Sequence, residues 1–154
     1  MVKTLKILEG ILWFVIGFGL MEVFSWAIHK YIMHGVLWSI HKTHHRHTKG
    51  PFELNDLFTL LFGGIAVLLI FLGIETFDYR FWIGCGISGY GMVYFVLHDM
   101  LIHKRINTFG RPKSRFLKAI AKAHRDHHKS KECEGAVSFG LLWVPRKYFR
   151  DAEG

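Results

Sequence analysis

The sequence contains little cysteine and proline, and its long apolar runs contain almost no charge. Its two cysteines, Cys85 and Cys133, form no CxxC pair, which excludes a disulfide scaffold. Three runs of 17 to 19 residues share one ionisable side chain, Glu22, and cover residues 10–28, 57–74 and 81–97. Each run is about as long as a helix that crosses a bilayer core. These features exclude a disordered chain and an ordinary soluble enzyme, and they indicate a membrane protein.

The three runs predict an all-α integral membrane protein with three transmembrane helices in a single membrane-embedded domain, residues 1–154. All three prolines lie outside the runs, where they cannot break a span. The apolar stretch 136–144 is too short to cross a bilayer. We expect it to be a core or interface segment, and a fourth membrane-embedded element only if the protein buries it.

The 20 lysines and arginines are distributed unevenly around the runs. Seventeen lie in segments 29–53 and 98–154, and three lie on the far side. By the positive-inside bias, the basic segments are predicted to form a helical cap on the cytoplasmic side of the membrane, with the N-terminus on the opposite side. The basic C-terminal region suits anionic lipid and an acidic protein partner equally well. No nucleic-acid module accompanies it, so a nucleic-acid partner is not expected.

Ten of the eleven histidines form a repeated pattern. An HxxxxH pair and then an HxxHH triplet follow the first apolar run, and the same two motifs follow the third run. These histidines are His29, His34, His41, His44, His45, His98, His103, His124, His127 and His128. The remaining one, His47, is interpreted as a loop residue. Three spans bring all four motifs to the same side of the membrane, as a shared site requires.

The two motifs place their imidazoles differently on a helix. Positions i, i+3 and i+4 share a face, so each triplet presents three imidazoles in one direction and can hold one metal or straddle two. Positions i and i+5 are about 140° apart on an α-helix. An HxxxxH pair therefore needs a π-bulge, an unwound helix end, or ligands that reach different metals. Gly35, directly after the first pair, is a candidate break.

Ten repeated histidines exceed what one metal can hold and predict two metals with open positions. Imidazole suits Zn, Cu, Fe and Ni, whereas a structural zinc takes about four closed ligands, often thiolates. The sequence has neither an HExxH motif nor the Glu-x-x-His pairs of carboxylate di-iron bundles. The residues alone therefore predict a histidine-rich dimetal site at the membrane surface.

The residues around the histidines resemble a known family. Five stretches look like signatures of the membrane fatty-acid hydroxylase and sterol desaturase superfamily, and most closely of its bacterial-type β-carotene hydroxylases. These stretches are Met21–Val23, His29–Gly35, Phe52–Leu57, Ala123–Arg125 and Val137–Gly140. The resemblance covers nearly the whole chain and implies a non-haem di-iron oxygenase. Such an enzyme hydroxylates carbon 3 of β-ionone rings and converts β-carotene to β-cryptoxanthin and zeaxanthin.

The resemblance also implies the cofactors and partners. The ten histidines would hold two non-haem iron ions, and no catalytic residue beyond these ligands is required. O2 would be the cosubstrate, a carotenoid would arrive from the lipid bilayer, and a ferredoxin-type protein would donate two electrons. Zinc can replace iron in a purified sample, because imidazole sites do not exclude it.

Several other polar and aromatic residues are candidates for roles around the site. Glu22 lies within a span, where a carboxylate is costly, and on the same helical face as His29, so we expect it to accept a hydrogen bond from a ligand imidazole. Weaker candidates for this supporting role are Asn55, Asp56 and Asp99. Candidates for lining a substrate ring pocket are Trp38, Tyr90 and Tyr94.

Three alternatives remain open from the sequence. A sterol or fatty-acid hydroxylase or desaturase of the same superfamily shares the histidine pattern. A non-catalytic electron carrier that binds haem or metal would be expected to have ligands at both ends of its spans. A metal transporter needs polar groups through the bilayer, and only Glu22 lies within a run.

Overall fold

The computed structural model describes residues 2–46, 52–106 and 108–150, and all the regular secondary structure in these ranges is helical. This confirms the predicted all-α class. The predicted loop residue His47 lies outside the described residues. The helices are α1 (Val2–Ala27), π1 (Ile28–Val36), α2 (Trp38–His45), α3 (Asp56–Gly73), α4 (Tyr79–Tyr94), π2 (Phe95–Ile102), α5 (Arg115–His127) and α6 (Lys147–Arg150).

Three helical segments are long and apolar enough to cross a membrane, as predicted. They are Thr4–Val36, Asp56–Gly73 and Tyr79–Ile102. Many of their large apolar side chains are exposed, including Leu60 and Phe71 on α3. Exposed apolar surface on such a scale is expected where lipid, and not water, surrounds the helix.

The described chain forms two compact units, and its assignment to one functional domain stays a prediction. The first unit, called the membrane unit below, comprises the described parts of Met1–Met21 and Leu57–Val93. Its helices pack closely through glycine. A Cβ atom on Gly17 would lie 2.6 Å from the carbonyl oxygen of Ile83, and one on Gly84 would lie 2.8 Å from that of Ala66. The small residues of the third span therefore allow the close packing that their spacing predicts.

The second unit, called the histidine unit below, comprises the described parts of Glu22–Asp56 and Tyr94–Gly154. Helix α5 begins at a Ser114 cap, whose hydroxyl accepts a hydrogen bond from the amide of Leu117 at 3.2 Å. Its apolar face forms the core of the unit with the chain after it, and the core residues are Ala119, Ile120, Ala123, Val144 and Tyr148. The imidazole of His127 at the end of the helix is completely buried. One helix thus packs by one end and presents imidazoles at the other.

The apolar stretch 136–144 contains no helix. Leu141 and Val144 are buried, whereas Trp143 is 78% exposed. The stretch is therefore partly a core segment, as predicted, and its exposed tryptophan leaves an apolar surface on the histidine unit.

Candidate metal centre

Both HxxxxH pairs lie in π-helices. The amide of Leu37 donates to the carbonyl of Ile32, and that of His103 donates to the carbonyl of His98, each at 2.9 Å. These hydrogen bonds span five residues, as in a π-helix, so side chains five positions apart share a face. Of the arrangements that the sequence left open, the chain adopts the π-helix. Gly35, with φ −111° and ψ −116°, interrupts the first one.

The π-helices direct each HxxxxH pair into one group of histidines. His29 and His34 belong to a group whose ligand atoms all lie within 4.8 Å of one another, and His98 and His103 belong to a second such group. The five-histidine group contains His29, His34, His41, His45 and His127; the four-histidine group contains His44, His98, His103 and His124.

The HxxHH triplets straddle the two groups. In α2, His41 and His45 join the five-histidine group, whereas His44 joins the four-histidine group. In α5, His127 joins the first group and His124 the second. Since each triplet lies on a single helical turn, the two groups must be neighbours.

His128 is the tenth histidine of the repeat and lies beside both groups. Its ring stacks on that of His45 with centroids 4.4 Å apart, and it is 4.5 Å from the ring of His124. Its Nε2 atom is buried and has no hydrogen-bond partner in the part of the chain that the structure describes. A cavity of about 250 Å³ reaches this ring.

Neutral oxygen atoms fix the orientation of the five-histidine group. Nδ1 of His41 donates to the Oδ1 atom of Asn55 at 2.7 Å. The other four imidazoles donate from Nδ1 to backbone carbonyls of the segment 130–139, at 2.9 to 3.0 Å. The carbonyls belong to Ser130, Cys133, Val137 and Phe139. Backbone acceptors leave no signature in a sequence, so sequence reasoning did not predict this role, although Val137–Gly140 is one of the family-like stretches.

Carboxylates fix the orientation of two imidazoles of the four-histidine group. Nδ1 of His44 donates to Glu53 Oε2 at 2.9 Å, and Nδ1 of His98 donates to Asp99 Oδ1 at 2.7 Å. A carboxylate acceptor polarises the imidazole more strongly than a neutral carbonyl does. The two groups are therefore electrostatically different.

Arg105 links Asp99 to a further carboxylate, that of Asp56. Its guanidinium donates two hydrogen bonds to Asp56, both at 2.7 Å, and lies 3.9 Å from Asp99. Asp56 also accepts a hydrogen bond from the amide of Glu53 at 3.0 Å. The hydrogen bonds to Asp56 raise the pKa of the guanidinium. Arg105 and Glu53 were not predicted as site residues, although Glu53 lies in one of the family-like stretches.

The hydrogen bonds also define the tautomers. A carbonyl or carboxylate oxygen can only accept, so each of these Nδ1 atoms carries the proton and leaves a lone pair on Nε2. These Nε2 atoms face one another: His29 and His41 at 3.0 Å, His34 and His127 at 3.1 Å, and His44 and His98 at 3.1 Å. Lone pairs repel at such distances unless a cation lies among them. Ligands about 2.0 to 2.1 Å from a metal have comparable spacings, so the residues fit metal ions.

Burial keeps these imidazoles neutral. It lowers the pKa of His41 and His127 to about 3 and that of His45 to about 4. Burial also lowers the pKa of His44 and His124 well below the ordinary value. Neutral imidazole is the form that binds metal.

A family model described as fatty acid hydroxylase matches residues 14–145. The chain belongs to the fatty acid hydroxylase family. The match includes all ten histidines of the repeat, and family membership together with the two histidine groups indicates a metal-dependent oxygenase in a membrane.

Relatives within the family carry a narrower description. The chain is 45% identical over 125 residues to the β-carotene hydroxylase of Pantoea ananas, covering 81% of this chain and 71% of that protein. It is 36% identical to the β-carotene hydroxylase of Paracoccus sp. (strain PC1), covering 81% and 78%. Identity to the chloroplastic β-carotene 3-hydroxylase 1 of Arabidopsis thaliana is 34%, covering 82% of this chain and 42% of that longer protein. No solved structure matches the chain.

The four polar residues predicted to support the ligands have different contacts. Asn55 and Asp99 contact imidazoles directly, whereas Asp56 is engaged by Arg105. Glu22 Oε1 accepts hydrogen bonds from the amides of Leu142 at 3.0 Å and Trp143 at 2.9 Å. These bonds tie the last turns of α1 to the segment that follows the carbonyls that accept hydrogen bonds from the five-histidine group. The proposed role of Glu22 toward an imidazole stays a prediction.

The three aromatic residues predicted to line a substrate pocket have different contacts. Trp38 packs its ring against those of His34 and His45, at 5.1 and 5.2 Å between centroids. Tyr94 stacks on His98 at 4.3 Å. Tyr90 belongs to the membrane unit, where it is 2% exposed and packs edge-on against Phe18. A substrate contact for these residues stays a prediction.

We expect Gly140→Ala to weaken metal retention, because Gly140 makes room for the Glu22 carboxylate. A Cβ atom there would lie 2.8 Å from Glu22 Oε1 and 2.8 Å from the Trp143 carbonyl. Overpacking of this kind costs about 1–3 kcal/mol, so the unfolding temperature should fall and metal should dissociate more easily. Thermal unfolding and metal content in detergent check this. Gly19→Ala is the matched control, since a Cβ atom at Gly19 meets no atom of the described residues within 4 Å. Equal behaviour of the two variants would contradict the expectation.

Proposed function

We propose that this chain is a non-haem di-iron oxygenase that hydroxylates carbon 3 of the β-ionone rings of carotenoids. The observation that carries the proposal is the pair of adjacent histidine groups with unprotonated Nε2 atoms, in a chain 45% identical to a bacterial β-carotene hydroxylase. In this proposal, the ten histidines of the repeat hold two iron ions. When bound, the iron supplies the activation of O2, which a ring C–H bond requires because it has neither an acidic proton nor a leaving group.

The chain's own residues set the conditions at the metals. The carbonyls of segment 130–139 and Asn55 hold five imidazoles in the tautomer that ligates. Glu53 and Asp99 place negative charge behind the imidazoles of the four-histidine group, which favours the more oxidised metal there. Phe139 covers the five-histidine group, because its ring lies 5.2 to 5.5 Å from those of His29, His34 and His127. This aromatic cover limits the access of water from that side.

The substrate and the electron donor follow from the membrane setting. A carotene is an apolar rod about as long as the roughly 30 Å hydrocarbon core is thick. The site can therefore take one terminal ring while the polyene remains in lipid. We propose O2 as cosubstrate and a reduced ferredoxin as donor of two electrons, and the exposed basic residues of the histidine unit suit an acidic protein.

The proposed reaction is tested with purified, iron-loaded protein. β-Carotene, O2 and a ferredoxin reducing system should yield monohydroxy and dihydroxy products, and His44→Ala should yield none. Palmitate and a sterol, supplied separately, test the alternative substrates of the family. Oxidation of either while β-carotene is recovered unchanged would contradict the carotenoid assignment and leave the family assignment intact.

We also propose that the histidine unit faces the cytoplasm and that the N-terminus lies on the opposite side. Cys133 is exposed in the histidine unit and serves as a natural label. In a Cys85→Ser background, a membrane-impermeant thiol reagent should label Cys133 in inverted vesicles but not in intact spheroplasts. Lys6→Cys, in a background that lacks both native cysteines, should show the reverse. Labelling of both sites from the same side would contradict this topology.

A further inference from the structure

A second cavity lies in the histidine unit, beside the last turns of α1. It has a volume of about 430 Å³, and most of its lining is apolar. Glu22, Val23 and Trp26 contribute from α1, and Phe139 and Trp143 contribute from the segment after α5. This volume lies in the range of roughly 300–1,000 Å³ that is common for small-molecule sites.

The cavity opens where lipid is expected. Val23 is 50% exposed and Trp26 is 39% exposed, and both belong to the first membrane-spanning segment. Trp143 is 78% exposed. Exposed tryptophans at the end of a span are typical of the membrane interface, so an apolar molecule can reach the cavity from the bilayer.

The cavity adjoins the metal centre through one residue. The Phe139 side chain lines the cavity and also covers the rings of His29, His34 and His127. Its carbonyl accepts the hydrogen bond from His29. A molecule in the cavity is therefore separated from the five-histidine group by the thickness of one side chain.

Ser138 is an unusual residue in this lining. Its hydroxyl oxygen is buried and has no hydrogen-bond partner among the described residues, and most of the surrounding lining is apolar. Its φ of 60° lies in the left-handed region, which non-glycine residues seldom occupy. This conformation lets the carbonyls on both sides, of Val137 and Phe139, accept hydrogen bonds from ligand imidazoles. Strained backbone and unsatisfied buried hydroxyls both cost free energy and occur preferentially at binding sites.

We propose that this cavity binds the terminal ring of the carotenoid and that the Ser138 hydroxyl donates a hydrogen bond to an oxygen substituent on that ring. This inference rests on the proposed function, to which it adds the site that binds the substrate ring. A whole carotenoid is too long for the cavity, whereas a single substituted six-membered ring is of suitable size. The hydroxyl makes the site prefer a ring that already carries a keto oxygen on another carbon over a purely hydrocarbon ring.

The test measures binding without turnover. Zinc-loaded protein in lipid nanodiscs is titrated with β-carotene and with a carotenoid that carries a keto group on each ring, and quenching of tryptophan fluorescence reports affinity. Ser138→Ala should leave the affinity for β-carotene unchanged and weaken that for the keto compound by roughly 3- to 10-fold, the factor that one neutral hydrogen bond supplies. Equal affinities of wild type and Ser138→Ala for the keto compound would overturn the role of Ser138.

Two further variants test the cavity itself. Val23→Trp fills it and should weaken the binding of both compounds at least tenfold, whereas Val67→Trp, at another exposed position in a span, should not. Trp143→Leu removes part of the cavity wall by changing an exposed side chain. It replaces Val23→Trp as the test variant if that protein fails to fold. The zinc content of each variant checks its folding. Normal binding by both cavity variants would overturn the assignment.

The outcomes separate this inference from the proposed function. If wild-type protein neither binds nor hydroxylates a carotenoid, the proposed function fails. If the iron-loaded wild type hydroxylates β-carotene but the cavity variants bind and react like the wild type, only the ring-binding site is wrong.

Discussion

His127→Ala is expected to abolish hydroxylation and to reduce bound iron from two ions per chain to one. The reason is that His127 Nε2 lies 3.1 Å from the Nε2 atoms of both His34 and His45, so it completes the five-histidine group. His124→Ala should also abolish activity, but by emptying the four-histidine group. Iron analysis gives the stoichiometry, and Mössbauer spectra of the remaining iron should differ between the two variants because the groups have different outer acceptors.

The control for this pair is His47→Ala, which changes the histidine outside the repeat. It should retain two irons and normal activity. Two irons in His127→Ala, or identical spectra for the remaining iron in His127→Ala and His124→Ala, would contradict the separation of the site into two groups.

Arg105→Leu is expected to weaken metal binding selectively at the four-histidine group. Loss of the guanidinium leaves Asp56 without its bidentate partner and removes a positive charge 3.9 Å from Asp99. Changes to such outer residues typically reduce metal affinity or activity by about 10- to 100-fold. Chelator competition should show that one of the two metals dissociates more readily, while the other is unaffected. Arg105→Lys should restore the binding only in part, because an ammonium group cannot bind a carboxylate through two parallel hydrogen bonds.

Arg46→Leu is the matched control for Arg105→Leu. Arg46 forms an ion pair with Glu132 in which both side chains are largely exposed, and such pairs contribute about 0–1 kcal/mol. Its removal should leave both metals in place. A double variant of Arg105 and Asp56 should lose less metal affinity than the sum of the two single changes, since both single changes remove the same Arg105–Asp56 contact. Fully additive losses would show that Arg105 acts by another route.

The sequence predicted the helical class, the three spans and the ten clustered histidines because these depend on local pattern. Apolar run length reports a span directly, and the spacing of the HxxHH triplets defines a helical face. The HxxxxH pairs left several geometries open, because hydrogen bonds alone decide between an α-helix and a π-helix. The chain uses the π-helix twice, and His29 and His34 thereby reach the same group.

Other parts of the site depend on long-range contacts that no local pattern specifies. The carbonyls of Ser130 and Cys133 contact His45 and His34, which are 85 and 99 residues away in sequence. Glu53 contacts His44, and Glu22 accepts hydrogen bonds from the amides of Leu142 and Trp143, which are 120 and 121 residues away in sequence. Side-chain types indicated that supporting groups exist, and only the fold determines their partners.

The most direct test of the central claim is pigment analysis of cells that accumulate β-carotene and express this chain. The proposed function predicts that β-cryptoxanthin and zeaxanthin appear with the wild-type protein under air, and that neither appears with His44→Ala or without O2. Unchanged β-carotene in cells that contain the folded, iron-loaded wild-type protein, together with an active ferredoxin reducing system, would contradict the claim.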